Sequence, residues 1–118
     1  MLLGAASGAA AHHSATGQFD MSKTVTLRGS ISKVDWINPH PYVYLDVKDT
    51  NGKVETWALE SVPLAMLRKM GLTKEALKGR ADEVVTITAM PAWTRTVRLG
   101  WIKKITYSDG HYYQLSSQ

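Results

Sequence analysis

The sequence predicts a mainly β domain: a small antiparallel barrel of five to six strands, similar to the oligonucleotide/oligosaccharide-binding (OB) kind, with one helix between strands three and four. Three observations predict it. Apolar and polar residues alternate in successive stretches from Val25 to Tyr107, which is the period of half-buried strands. Asn51-Gly52 and Asp109-Gly110 are tight-turn pairs that join neighbouring strands. The helical spacing of Leu64, Leu67 and Met70 falls after the third alternating stretch, an order that suits such a barrel.

Strand one begins near Thr24. Val25, Leu27 and Ile31 alternate with Thr26, Arg28, Ser30 and Ser32, and beyond Gly29 the apolar parity moves to Val34 and Trp36. A one-residue slip beside a glycine predicts a bulge there, letting a long strand bend. Asn38-Pro39-His40-Pro41 is a loop, because two prolines cannot sit in a central ladder. Strand two runs from Tyr42 to Lys48, with Val43, Leu45 and Val47 on one face and Tyr42 and Tyr44 on the other. Strand three covers Lys53 to Leu59. Ser61 is the expected N-cap of the helix, with Pro63 in its first turn and Gly71 closing it. A second short turn of helix, Thr73 to Leu77, is closed by Gly79. Strand four is Glu83 to Met90, strand five Thr96 to Tyr107, and a last strand His111 to Leu115. Trp57 and Trp101, with apolar neighbours, are expected in the core.

The chain has 118 residues, one domain's worth. Residues 1–11 are all apolar or small and end in three alanines, like the tail of a secretion signal. Residues 12–23 are polar and aperiodic and are expected to form an N-terminal arm; residues 24–118 are the barrel domain. The expected address is therefore periplasmic or secreted, with no membrane span in the mature chain. The absence of cysteine excludes disulfides, thiolate metal sites, iron–sulfur clusters and attached c-type haem. The formal charge of +4 is modest and spread out. Arg95, Arg98, Lys103 and Lys104 form its densest run, which reads as a solvated strand face rather than a nucleic-acid stripe.

No catalytic motif is present: no nucleophile elbow, no HExxH, no phosphate loop, and no spacing that forces two carboxylates together. The protein is expected not to be an enzyme. Histidine offers more. His12 and His13 follow the expected cleavage site: cleavage after Ala11 would join a free α-amine to the His12 imidazole in a chelate suited to Cu(II), and cleavage after Ala10 would put His13 third, in a square-planar set for Cu(II) or Ni(II). His40 stands between two prolines that stiffen its loop and should display the ring at a barrel end. His12, His13 and His40 are thus the candidate metal ligands, with copper the expected ion. Trp36, Asn38, Tyr42 and Tyr44 are candidate ligand-binding residues around the same loop.

The series His12-His13-Ser14, Phe19-Asp20, Val25-Thr26-Leu27-Arg28-Gly29 and Trp36-Ile37-Asn38-Pro39-His40 resembles a family of small exported bacterial proteins known as domain of unknown function six-one-five-two. Asp46-Val47, Asn51-Gly52, Trp57, Glu60 and the Leu67–Gly79 stretch fit it as well. The resemblance weakens after Pro91, where Ala92-Trp93-Thr94-Arg95 replaces the expected turn. It implies export and a small barrel, and it implies no activity. Three functions remain open on sequence: a copper-binding module; a protein-interaction or self-assembling module using edge strands and the arm, in which the partner is another protein or a second copy; and, from the fold alone, a binder of glycans or single strands.

Overall fold

The computed structural model describes residues 17–116. Their elements run β1 (Val25–Asp35), β2 (Tyr42–Lys48), β3 (Val54–Glu60), α1 (Leu64–Lys69), α2 (Lys74–Lys78), β4 (Val84–Pro91), β5 (Leu99–Thr106) and β6 (Tyr112–Gln114). Alternation sets the inward set of each strand: Val43 and Leu45 on β2, Val85, Ile87 and Ala89 on β4, and Ile102 and Ile105 on β5 are all buried. Trp101 is buried with them, and Trp57 is half-buried against the same core.

The strands are hydrogen-bonded in the order β3-β2-β1-β4-β5-β6, and an additional β3–β5 pairing closes the first five into a barrel. That closing pair is parallel, aligning Ala58, Leu59 and Glu60 with Leu99, Gly100 and Trp101. The expectation of an antiparallel barrel is therefore corrected to a mixed one. The reason is parity. Around a ring of five strands, direction cannot reverse at every step, so one neighbouring pair must run parallel. Strand β6 adds to the outside of β5.

The bulge in β1 is also displaced from its expected position. The β1–β2 register slips between Ile31 and Lys33, not at Gly29. Gly29 has a different task. It pairs with Val85 of β4 while pressed against β2, and a Cβ there would lie 2.0 Å from the Asp46 carbonyl oxygen. The slip at Ser32 then lets Ile31 and Val34, three residues apart, both face the core.

Two short helices are present, the second falling where the further helical turn was expected. The N-cap of α1 is Pro63, with no side-chain cap; Ser61, the expected cap, instead donates its hydroxyl to the Val62 carbonyl oxygen. Helix α2 is capped by Thr73, whose side chain accepts from the Ala76 amide. It packs against β1, and the Tyr107 hydroxyl donates to the Leu77 carbonyl at its end.

The segment read as an aperiodic arm enters the fold at its C-terminal half. Phe19 is 2 % exposed and lies against Trp101, with ring centroids 6.0 Å apart. Its backbone bridges to Ala92, the Asp20 amide donates to the Pro91 carbonyl, and the Trp93 amide donates to the Gln18 carbonyl. The segment is thus stitched to the β4–β5 loop.

Candidate functional site

Register builds one end of the barrel. Asp35 of β1 pairs with Tyr42 of β2, Tyr42 with Glu60 of β3, and Glu60 with Trp101 of β5. Four residues on four successive strands therefore stand at one level, directly beside the loop that carries His40. The loop is tied down on both sides of that histidine. The Leu64 amide donates to the Pro39 carbonyl and the Ser61 amide to the Pro41 carbonyl, each at 3.0 Å. The Asn38–Pro39 peptide is cis.

His40 lies beside that barrel end, half-buried and bonded rather than fully displayed. Its Nδ1 lies 2.8 Å from the Ser61 carbonyl oxygen, and its ring meets Trp101 edge-on at 5.5 Å between centroids. A carbonyl oxygen can only accept, so Nδ1 carries the proton and the free lone pair of the neutral ring is on Nε2. The prolines do fix the loop. What the sequence does not reveal is that the ring folds back onto the segment after β3.

Glu60 is the buried acid of this site. Its Oε1 accepts from the Tyr42 hydroxyl at 3.0 Å, and its Oε2 lies 3.8 Å from His40 Nδ1. Burial, reinforced by the hydrogen bond and the charge of Glu60, pushes the Tyr42 phenol up to about 12. Tyr42 therefore remains a hydroxyl donor at any physiological pH. Tyr44 stacks on Tyr42 at 6.4 Å with 27° between planes, and its hydroxyl donates to Asp35. Lys33 pairs with Asp35 at 3.3 Å and sits over the Tyr44 ring. The result is a half-exposed tyrosine platform beside the His40 loop. Trp36 is half-buried against the core and Asn38 is exposed, both on the same loop.

The structure places Trp36, Asn38 and His40 on the loop between β1 and β2, and Tyr42 and Tyr44 on the strand that follows it. His12 and His13 lie outside the described residues. Among the described residues, no group of three or more histidine and carboxylate side chains could hold a metal ion. His111 stands apart, in the turn after β5, stacked on Tyr107 at 4.5 Å and joined to Asp109 through Nδ1. Sequence reasoning missed Glu60 and Ser61 as partners of His40. Nothing local singles out Glu60 as a partner of His40, because only the parallel β3–β5 pairing puts it beside Trp101. Phe19 was missed as a core residue. Its being the only phenylalanine, inside a polar stretch, was the available signal.

The model of a family of unknown function, DUF6152, matches residues 1–100. The chain belongs to that family. The match covers the His40 loop, the Tyr42–Tyr44 platform and Glu60. It also runs through the β4–β5 loop, where the resemblance had seemed to weaken, and stops just before Trp101. No curated protein and no solved structure matches this DUF6152 chain.

Proposed function

We propose that this DUF6152 protein is an exported binding module that holds copper(II) through His40 and the N-terminal histidines His12 and His13. One observation carries the reading: the Nδ1–H of His40 is held by the Ser61 carbonyl oxygen, which leaves Nε2 as a fixed, available lone pair. Backbone carbonyls bonded to the second ring nitrogen are what orient metal-ligating histidines. A second observation supports the reach. Phe19 and His40 both pack on Trp101, so the chain leading back from Phe19 starts one indole ring away from His40. The stretch from His13 to Phe19 can span about 20 Å when extended. Cleavage after Ala11 would make His12 the mature N-terminus, adding an α-amine to the ligand set. The ring closure β1-β2-β3-β5-β4 also supports reading the barrel as OB-like.

Titration of the processed protein with Cu(II) tests the proposal. One ion should bind with a dissociation constant below about 1 μM, and His40→Ala should abolish that affinity. Binding no tighter than this, or binding indifferent to His40→Ala, would overturn it. A dimer that forms without metal and depends on residues 12–22 would favour the self-assembly reading instead.

A further inference from the structure

Two thioethers stand free on the helix that anchors the His40 loop. Met66 and Met70 are 49 % and 46 % exposed, and the Met70 amide bonds to the Met66 carbonyl at 3.1 Å. That bond sets them one helical turn apart on the same face, with Cβ atoms about 5–6 Å from each other. Buried Leu64 and Leu67 anchor α1 to the core, while about half of each methionine stays outside that packing. The first residue of α1 bonds to Pro39, the neighbour of His40, which puts the pair at the same barrel end. Thioether sulfur is a soft ligand that selects Cu(I) over Cu(II), and with no cysteine in the chain it is the only soft donor available.

We propose that Met66 and Met70 form a second subsite, for a soft monovalent ion of the Cu(I) class. The choice of ion rests on the copper reading of the neighbouring imidazole site. The subsite itself is coordination alone: two sulfur lone pairs bind the cation, no bond breaks and no electron moves. A module with an imidazole site and a thioether site at one end holds copper in either oxidation state.

Silver(I), a redox-silent stand-in, tests it on the full-length chain labelled at the methionine methyls. The methyl resonances of Met66 and Met70 should shift together and saturate, while those of half-buried Met21 and buried Met90 stay in place. Met66→Leu or Met70→Leu should weaken the response of the remaining methyl by about tenfold or more, and His40→Ala should leave it intact. Leucine keeps the volume and helix propensity, so folding is preserved. Independent, non-saturating shifts, or a response unchanged in the single variants, would overturn the subsite. Because this arm reads methionine methyls and the Cu(II) titration reads His40, failure of one is distinguishable from failure of the other.

Discussion

The Nδ1 of His40 donates to the carbonyl oxygen of Ser61 at 2.8 Å, joining the β1–β2 loop to the segment after β3. Removing the ring leaves that carbonyl without its side-chain donor and takes an edge contact from Trp101. His40→Ala should therefore cost about 1–2 kcal/mol. A urea melt reads this as a lower midpoint at unchanged slope. A change within about 0.5 kcal/mol, typical of a surface substitution, would show that the bond contributes nothing.

Tyr42 and Glu60 give a sharper test of the same end. The carboxylate is almost wholly buried, and the Tyr42 hydroxyl is its side-chain donor at 3.0 Å. Tyr42→Phe keeps the ring, and with it the stack on Tyr44, but deletes the donor. The expected loss is about 1–3 kcal/mol, the cost of a buried acceptor left unsatisfied. In a double-mutant cycle with Glu60→Gln the two losses should not add. Additive losses would mean that the pair is not coupled.

At Gly29 the β1 backbone passes very close to β2. A methyl group there would meet the Asp46 carbonyl oxygen at 2.0 Å, and the obstacle is backbone that cannot rotate away. Gly29→Ala should cost about 1–3 kcal/mol or more, in line with other overpacked sites. The β1–β2 amides from Ser30 to Asp35 should show the largest shifts in an NMR spectrum. A thermal midpoint equal to the parent's would refute this account of the close approach at Gly29.

Glu83 makes stability depend on acid. Its carboxylate accepts from the hydroxyl and amide of Ser108 and from the Arg80 amide, which together hold its pKa down to about 2 from an ordinary 4.5. A depressed carboxylate stabilises the fold fully above the unfolded-state pKa, and that contribution is lost as pH falls through the window from about 4.5 to about 2. Ser108→Ala removes the largest cause, the hydroxyl bond, so the Glu83 titration should move up and acid unfolding should begin at higher pH. NMR titration of the Glu83 side chain measures both. An unchanged midpoint in the variant would refute the assignment.

Much of this fold was legible because period-two alternation and Asn-Gly or Asp-Gly turns are local signals. They give β2, β4 and both hairpins within a residue or two. Three features lay beyond that reach. The β3–β5 pairing joins residues some forty positions apart, and although ring parity demands one parallel pair, alternation does not say which strands meet. Gly29 and the bulge at Ser32 were confused because both sit where parity slips, and only contact with Asp46 separates their roles. In the site, the histidine and the tyrosine pair could be named from the sequence. Glu60, Ser61 and Trp101 could not, because they reach His40 through tertiary closure.

Phe19 tests whether the N-terminal segment belongs to the barrel. It is the largest core side chain contributed from before β1, it touches Trp101, and the bonds around it fasten residues 18–20 to the β4–β5 loop. Phe19→Ala should therefore cost about 3–5 kcal/mol, as for other buried phenylalanines. Arg95→Ala breaks the 3.1 Å ion pair from a half-exposed guanidinium to Asp20 and should cost much less. The Trp93 amide, which donates to Gln18, should lose hydrogen-exchange protection in Phe19→Ala first. The near-ultraviolet circular dichroism should change too, because Trp101 loses its ring neighbour. The proposed Cu(II) site depends on the same anchor: with residues 18–20 holding the N-terminal histidines near His40, Phe19→Ala should weaken Cu(II) binding while the His40–Ser61 bond persists. A variant as stable as the parent, with protection at Trp93 intact, would return the segment to the role of a detached arm and remove this support for the three-histidine site.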